Sequence, residues 1–248
     1  MDLSKSLYGE FARRLWDSGE IELESVPGEG FELRLHQDRP NEPLSPYKIH
    51  IRTPDNPKPG NATPELLYYI AEMFYRSTIG PLRWKFDEIA GPPNAGVPIA
   101  EALAKYMEAE HGKRCGLVPL EKTTRPDGSR FISGIEETYD VRGKRVLIVD
   151  NAITEGTTVI PTIKILTMAG ARVQHVIVAV DREQGAAYRI AEATNWRTDL
   201  WSIVNARQLF TFLYQNGRIS HTALERVRAY HRATSRPKVL LHKTAAYV

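Results

Sequence analysis

Residues 146–158 read VLIVDNAITEGTT, and this segment decides the fold of the 248-residue chain. Its first four residues are apolar, which is typical of a strand buried on both faces of a parallel sheet. Asp150 and Asn151 then fall at the carboxyl end of that strand, before a loop rich in Thr and Gly. Such a loop, where it opens a helix, offers backbone N–H groups, hydroxyls and the helix N-terminus to an anion. The segment therefore predicts a phosphate cradle beside an acid that can accept hydrogen bonds from ribose hydroxyls.

Strands and helices alternate along the chain on both sides of this segment. The sequence predicts strands at residues 86–90, 116–120, 145–149, 173–180 and 200–204. It predicts helices at residues 64–77, 97–107, 157–169, 186–193 and 206–216. The alternation indicates an α/β fold with a doubly wound, mainly parallel sheet. Ligands bind such sheets at the carboxyl ends of the strands, where the cradle is predicted.

Three stretches of the chain differ in character. We expect an N-terminal helix and a small irregular hood in residues 1–62, the α/β core in residues 63–217, and a basic helical extension in residues 218–248. From Arg218 to Lys243 the extension carries seven Lys or Arg residues against one acid, Glu225. It has no zinc spacing, aromatic run or helix-turn-helix pattern typical of nucleic-acid binding. A solvated helix face or a subunit contact is the preferred interpretation, and a nucleic-acid or protein interaction module is the alternative.

The composition excludes several classes of protein. Hydrophobic residues make up 42% and charged residues 25% of the chain, as in ordinary globular proteins. A single cysteine, Cys115, rules out an internal disulfide framework, and the seven histidines show no paired metal spacing. No apolar signal core is found near the N-terminus, and no window approaches the roughly 18 apolar residues of a membrane span. We therefore expect a cytoplasmic protein with no membrane partner.

Residues 146–158 resemble the signature of the type I phosphoribosyltransferases, in which two adjacent acids follow four hydrophobic residues. Four further segments resemble, in order, the hood, the diphosphate loop, the mobile catalytic loop and the base-binding segment of the orotate-specific branch of that family. They are FELR (31–34) with SPY (45–47) running to Arg52, GPPNAGVP (91–98), EKTTRPDG (121–128) and VDREQG (180–185). The resemblance runs from about Phe31 to Gly217 and implies the type I phosphoribosyltransferase fold.

The resemblance also implies an activity and its partners. The reaction moves ribose 5-phosphate from 5-phosphoribosyl diphosphate to orotate, giving orotidine monophosphate and pyrophosphate in pyrimidine nucleotide synthesis. Mg²⁺ is expected to arrive on the diphosphate, with Asp150 as the one candidate protein ligand and no direct metal site otherwise. Because the mobile loop of the family often reaches the neighbouring subunit's site, a homodimer is expected.

The site residues follow from the same resemblance and from chemistry. The expected catalytic residues are Asp150, Asn151, Lys122 and Arg125. The expected diphosphate-binding residues are Thr154, Glu155, Gly156, Thr157, Thr158, Ala95 and Gly96, and the expected base-binding residues are Arg34, Tyr47 and Arg182. Pyrophosphate needs cations, which a polar lid carrying Lys and Arg can bring while it excludes water. A guanidinium directly after a buried strand can form a bidentate pair with a planar carboxylate.

Three positions depart from the family pattern. Asn151 replaces the second acid, Ala95 stands where a lysine is usual, and Asp127 stands near a position usually held by histidine. Glu155 also adds an acid to the phosphate cradle. Two other functions therefore stay open: phosphoribosyl transfer to a different nitrogenous base, and non-catalytic binding of the diphosphate or a nucleotide for regulation.

Overall fold

The computed structural model describes residues 6–33, 36, 39–124, 130–234 and 243–244. The helices are α1 Leu7–Asp17, α2 Pro64–Phe74, α3 Gly96–His111, α4 Val159–Met168, α5 Ala186–Ala193, α6 Ala206–Gln215 and α7 His221–Thr234. The strands are β1 Ile21–Leu23, β2 Tyr47–Ile49, β3 Glu88–Ala90, β4 Gly116–Leu117, β5 Leu120–Thr124, β6 Arg130–Ile135, β7 Arg145–Ile153, β8 Arg172–Asp181, β9 Asp199–Asn205 and β10 Lys243–Thr244. A π-helical turn, Tyr75–Ile79, extends α2.

Six strands form one parallel sheet in the order β10-β9-β8-β7-β3-β4. The central strand β7 is buried on both faces: Leu147 and Val149 pack into one hydrophobic cluster, and Val146 and Ile148 into the other. Successive side chains of a strand point to opposite faces, so an uninterrupted apolar run supplies both clusters at once. The predicted doubly wound α/β fold is confirmed.

Two predicted elements differ from the structure. Strand β7 extends to Ile153, beyond the predicted end at residue 149, because its pairing with β8 continues through Ala152 and Val180. Residues 121–128 were expected to belong to a mobile polar loop, but residues 121–124 lie in β5, which pairs antiparallel with β6 as a hairpin. Ile132 of that hairpin is 5% exposed, and Leu120 and Ile135 pack against the second hydrophobic cluster, so a few apolar side chains anchor a mainly polar ribbon.

The N-terminal hood is fastened to the sheet by a short ribbon and a helix. Strands β1 and β2 pair antiparallel, and Phe31 forms a further antiparallel bridge with Ser45. Helix α1 buries Phe11 and Leu15 and packs against α6. The hood is thereby held over the carboxyl edge of the large sheet, where the expected site lies. The division at residues 62 and 217 stays a prediction.

The C-terminal helix α7 packs against α6. It buries Leu224, Val227 and Tyr230, which belong to the same hydrophobic cluster as one face of β7. Its apolar face therefore completes the core behind the hood. Of its basic residues, Arg232 is exposed, but Nε of Arg226 lies 3.5 Å from Oε1 of the buried Glu24 in the hood. None of the helices within the described ranges is both long enough and apolar enough to span a bilayer.

Candidate active site

The site is assembled where β7 and β8 end side by side. The parallel register pairs Ile153 with Asp181, and the backbone N–H of Arg182 donates to the carbonyl oxygen of Ile153 at 2.9 Å. Arg182, in the expected base-binding segment, is therefore held against Ile153, which directly precedes the phosphate cradle. Sheet pairing alone brings these two parts of the sequence together.

Asp150 lies within β7 and is 8% exposed. Burial raises the pKa of its carboxyl to about 7, because removal from water disfavours the charged form. A hydrogen bond from the Asn151 backbone N–H, at 2.8 Å, and the positive charges of Arg52 and Lys122 oppose that rise. The carboxyl is consequently poised to lose its proton when further positive charge approaches.

Asn151 uses both ends of its amide on backbone groups. Its Nδ2 donates to the carbonyl oxygen of Ile51 at 3.0 Å, and its Oδ1 accepts from the Ala152 N–H at 2.6 Å. Ile51 belongs to the hood, so this side chain ties the hood to the central strand. A carboxylate in the same place would have no hydrogen to donate to Ile51.

The loop from Thr154 to Thr158 connects β7 to α4. Gly156 has φ +77°, a conformation that L side chains rarely adopt, and it lets the backbone turn sharply into the helix. Thr157 is exposed, and the N-cap residue Thr158 has no side-chain cap among the described residues. Ile160 donates its N–H to the Gly156 carbonyl oxygen at 2.8 Å, and Pro161 has no N–H. An anion here would therefore depend on the N–H groups and Thr hydroxyls of the loop more than on the first turn of α4.

Glu155 is the buried acid of this loop, with its side chain 7% exposed. Its Oε1 lies 2.5 Å from Nη2 of Arg39, in the hood, and its Oε2 lies 3.3 Å from Nη1 of Arg189, in α5. The carboxylate therefore joins three segments that are distant in sequence. Neither arginine was expected from the sequence.

The loop between β3 and α3 closes a second side of the site. A Cβ on Gly91 would lie 2.2 Å from the Gly96 carbonyl oxygen, and a Cβ on Gly96 would lie 2.9 Å from that of Val149. Only glycine fits at either position, since both distances are shorter than real Cβ contacts. Ala95, which is partly exposed, is the N-cap residue of α3. Lys122 of β5 donates from Nζ to the Pro93 carbonyl oxygen at 3.1 Å, so the hairpin reaches this loop.

Arg182 is 4% exposed and held from three directions. Its Nη2 donates to the Ser45 hydroxyl at 2.8 Å, and its Nε donates to Oε1 of Gln184 at 3.2 Å. Its guanidinium carbon lies 4.1 Å from the centre of the Tyr47 ring, a cation–π distance. The guanidinium is thereby fixed in one orientation.

A second layer of contacts lies behind Arg182. The fully buried Tyr47 shares a hydrogen bond of 3.1 Å between its hydroxyl and Nε2 of His231, and Gln184 donates from Nε2 to the Tyr230 hydroxyl at 2.8 Å. Burial, helped by the positive charges of Arg182 and Arg207 and opposed by the charge of Glu183, lowers the pKa of His231 to about 4, so the imidazole is neutral near pH 7. Helix α7 therefore contributes two side chains to the support of Arg182.

The structure thus brings Asp150, Lys122, the cradle, Ala95, Gly96 and Arg182 to one edge of the sheet. Tyr47 and Asn151 are there too, but their side chains face the protein interior and the hood backbone respectively. Arg34, Arg125 and Asp127 lie outside the described residues. Sequence reasoning missed five residues of the assembly, which are Arg39, Gln184, Arg189, Tyr230 and His231. No local signal marks Arg39, Arg189, Tyr230 or His231, because each acts through a partner far away in the sequence. Gln184 lies two residues from Arg182, inside the expected base-binding segment, but was given no role of its own.

Comparisons with known proteins identify the family and the fold of the chain. Residues 61–211 match the family of phosphoribosyl transferase domains. An orotate phosphoribosyltransferase of Pyrobaculum islandicum is 34% identical over 146 residues, which are 59% of this chain and 68% of that protein. The UMP synthase of Leishmania donovani superposes with a TM-score of 0.68 at 26% identity, over 92% of this chain and 42% of that one. An orotate phosphoribosyltransferase of Francisella tularensis shares the fold, with a TM-score of 0.61 at 17% identity, over 93% of this chain and 100% of that one.

Proposed function

The chain belongs to the phosphoribosyl transferase domain family, and from this premise we propose that it transfers ribose 5-phosphate from 5-phosphoribosyl diphosphate to orotate. Orotidine monophosphate and pyrophosphate would be the products, so the chain would act as a pentosyltransferase in pyrimidine nucleotide synthesis. The relatives that are named orotate phosphoribosyltransferases support this choice of acceptor.

One observation carries the proposal. The Arg182 N–H bonds to the Ile153 carbonyl oxygen at 2.9 Å, which fixes the base-binding arginine beside the start of the cradle. A phosphate in the cradle and an acidic ring at Arg182 would therefore bind side by side, with the ribose between them. Such positioning of two reactants accounts for much of the acceleration that transferases achieve.

The other residues have roles that follow from the charge changes in the reaction. The bond from the ribose C1 to pyrophosphate breaks as the bond from C1 to the ring nitrogen forms, and positive charge develops on the sugar between these events. Asp150 would accept hydrogen bonds from the ribose hydroxyls and stabilise that charge. Lys122 and Arg125 would neutralise the departing pyrophosphate, and backbone groups around Gly96 would hold it.

Magnesium is proposed to accompany the diphosphate. The described residues contain no cluster of three or more His, Cys, Asp or Glu side chains that could hold a metal ion. Of the two acids in residues 146–158, Glu155 is paired with Arg39 and Arg189, so Asp150 is the candidate ligand. One carboxylate suits a Mg²⁺ ion that keeps substrate oxygens and waters as its other ligands. When bound, the ion would neutralise charge on the diphosphate oxygens.

The test is an assay of nucleotide formation from 5-phosphoribosyl diphosphate and Mg²⁺ with a panel of acceptors. The panel contains orotate, uracil, two purines and a pyridine carboxylate. We expect product with orotate alone, and a loss of at least about 100-fold in kcat for Asp150→Asn. Glu22→Gln, an exposed change in the hood ribbon, is the control and should leave the rate unchanged.

Two results would replace the proposal by its alternatives. Product with another acceptor and none with orotate would show a transferase of different specificity. No product with any acceptor, together with a melting temperature raised by the diphosphate, would favour a binding protein used in regulation. The homodimer and the cytoplasmic location stay predictions of the resemblance, and sedimentation of the purified chain tests the first.

A further inference from the structure

An acid inside a phosphate cradle needs a physical explanation. The Glu155 side chain is 7% exposed and follows Thr154 in the loop whose N–H groups would surround a phosphate. A buried carboxylate without partners is costly, and it would also repel a phosphate at short range. The explanation has to account for both effects.

Two arginines meet the carboxylate from opposite sides. Arg39 comes from the hood and Arg189 from the second turn of α5, and their guanidiniums lie 2.5 Å and 3.3 Å from the two carboxylate oxygens. The Arg39 side chain is 29% exposed and that of Arg189 is 41% exposed. Both arginine side chains therefore stay partly exposed while they pair with an acid of the cradle loop.

We propose that Arg39 and Arg189 supply the positive charge of the phosphate cradle, and that Glu155 is the positioning residue that holds both guanidiniums beside it. The proposal rests on the proposed function, because it assumes that the cradle binds the 5-phosphate of the substrate. It assigns two phosphate-binding arginines that lie outside the signature segment, and it explains why Glu155, an acid, lies in the cradle loop.

The sum of charges supports this assignment. Two guanidiniums and one carboxylate have a net charge of +1, so the group attracts a phosphate although it contains an acid. Removal of either arginine lowers the sum to zero and leaves the carboxylate beside the phosphate with one partner. Removal of the Glu155 charge raises the sum to +2 but releases both guanidiniums from their fixed positions.

The same contacts couple phosphate binding to the hood. Arg39 belongs to the hood, and its other ionic partner among the described residues, Glu42, lies at 3.5 Å and is itself part of the hood. The contact with Glu155 thus fastens this part of the hood to the cradle. A phosphate that draws on the Arg39 charge would favour the docked hood, and a docked hood would favour phosphate binding by the same factor.

The experiment measures the affinity for inorganic phosphate and the KM for 5-phosphoribosyl diphosphate. We expect Arg39→Gln and Arg189→Gln each to weaken both by about tenfold, and Glu155→Gln to stay within about threefold of the wild type. The decisive variant is the double change Arg39→Gln with Glu155→Gln, which removes one charge of each sign. It should bind more tightly than Arg39→Gln alone, because the unbalanced carboxylate is gone.

Three further variants exclude a merely structural role. Glu155→Asp keeps the charge but shortens its reach, so it should weaken phosphate binding more than Glu155→Gln does. Glu22→Gln in the hood and Glu192→Gln in α5 change exposed acids that contact His50 and Tyr188 rather than either arginine, and both should leave binding unchanged. Melting temperatures identify any variant that loses affinity because it is partly unfolded, and for such a variant the comparison is made below its transition.

The outcomes separate this proposal from the proposed function. If the wild type binds neither phosphate nor the diphosphate, the proposed function fails, and the roles proposed for Arg39, Arg189 and Glu155 fail with it. If the wild type binds both, but Arg39→Gln and Arg189→Gln have no effect, the proposed function stands and the phosphate-binding role of the two arginines is wrong. Additive losses in the double variant would likewise show that Glu155 only supports the fold.

Discussion

The two halves of the site are built in opposite ways. On the phosphate side, Asp150 and the cradle follow one another in the sequence, and the buried carboxyl has its pKa raised to about 7. On the base side, Arg182 is held by Ser45 and Gln184, which reach it from the hood and from its own loop. The phosphate side keeps a charge that is poorly satisfied without a ligand. On the base side, protein side chains already accept hydrogen bonds from the Arg182 guanidinium.

The difference suggests how the chain divides stability and function. The buried Asp150 carboxyl, which is expected to meet a highly charged, metal-bearing substrate, keeps a raised pKa in the protein alone, because the ligand is to supply the missing positive charge. Groups that recognise a flat ring are fixed by neighbours, because orientation decides specificity there. We therefore expect substitutions on the phosphate side to change stability as well as activity, and those on the base side to act on acceptor affinity.

The largest effect should come from Asp150→Asn. The carboxyl has a pKa of about 7 when folded, against an ordinary value of 3.8 for an aspartate in water, so the folded state holds the proton more tightly. Stability contributed by this group is therefore full below about pH 4 and is lost as the pH rises through 7. The Asn variant should match the wild type near pH 4 and exceed it by up to about 4 kcal/mol at pH 8.

Urea denaturation at several pH values measures this difference in the free energy of unfolding. Glu20→Gln is the matched control, because burial also raises the pKa of Glu20, in the hood, to about 7. Both variants should be more stable than the wild type at pH 8, but only Asp150→Asn should lose activity. An Asp150→Asn protein that is no more stable at pH 8 would show that the carboxylate is already well satisfied.

A smaller effect, a loss of stability, should follow Asn151→Asp, although this change restores the second acid of the family pattern. The new carboxylate would have no hydrogen to donate to the Ile51 carbonyl oxygen and would lie beside Asp150. An unsatisfied buried group and a like charge together should cost about 3 kcal/mol of unfolding free energy. The variant should not gain activity.

Thermal denaturation and limited proteolysis at Ile51 and its neighbours test this expectation. Asn151→Ala is the control, since it removes the tie to the hood without adding a charge, and it should be less destabilising than Asp. A gain in activity on Asn151→Asp would mean that the amide does not serve mainly to hold the hood.

The phosphate side could be predicted from the sequence because its information is local. The apolar run of residues 146–149 predicts a buried strand, and the Thr- and Gly-rich loop after it predicts an anion cradle. The same locality explains why the parallel sheet was predicted correctly. The hairpin of β5 and β6 was missed, because its strands are mainly polar and Ile132 gives little periodic signal.

The base side could be predicted only in part. Arg182 was expected from its place after a strand, but its partner Ser45 is 137 residues away and Gln184 meets Tyr230 across 46 residues. Burial of polar groups forces such pairs to form, yet no spacing in the sequence records which pair forms. Tyr47 was expected to contact the base, whereas its complete burial makes it a support for Arg182.

The smallest effect, and the sharpest test of the base side, should come from Tyr230→Phe. The change removes the hydroxyl that accepts from Gln184 at 2.8 Å but keeps the ring that packs in the core. Gln184 then loses one of its two anchors, and its contact with Nε of Arg182 loosens. We expect the KM for the acceptor to rise about tenfold, equivalent to about 1.4 kcal/mol, and the KM for the diphosphate to stay within about twofold.

Tyr214→Phe is the matched control, because it removes a hydroxyl from a tyrosine of α6 that is 41% exposed. It should change neither KM. If Tyr230→Phe raised both KM values equally, the hydroxyl would only stabilise the fold. If it raised the acceptor KM alone, α7 would belong to the base side of the site. A helix that sequence reasoning assigned to solvent or to a subunit contact would then help to decide which ring the enzyme accepts.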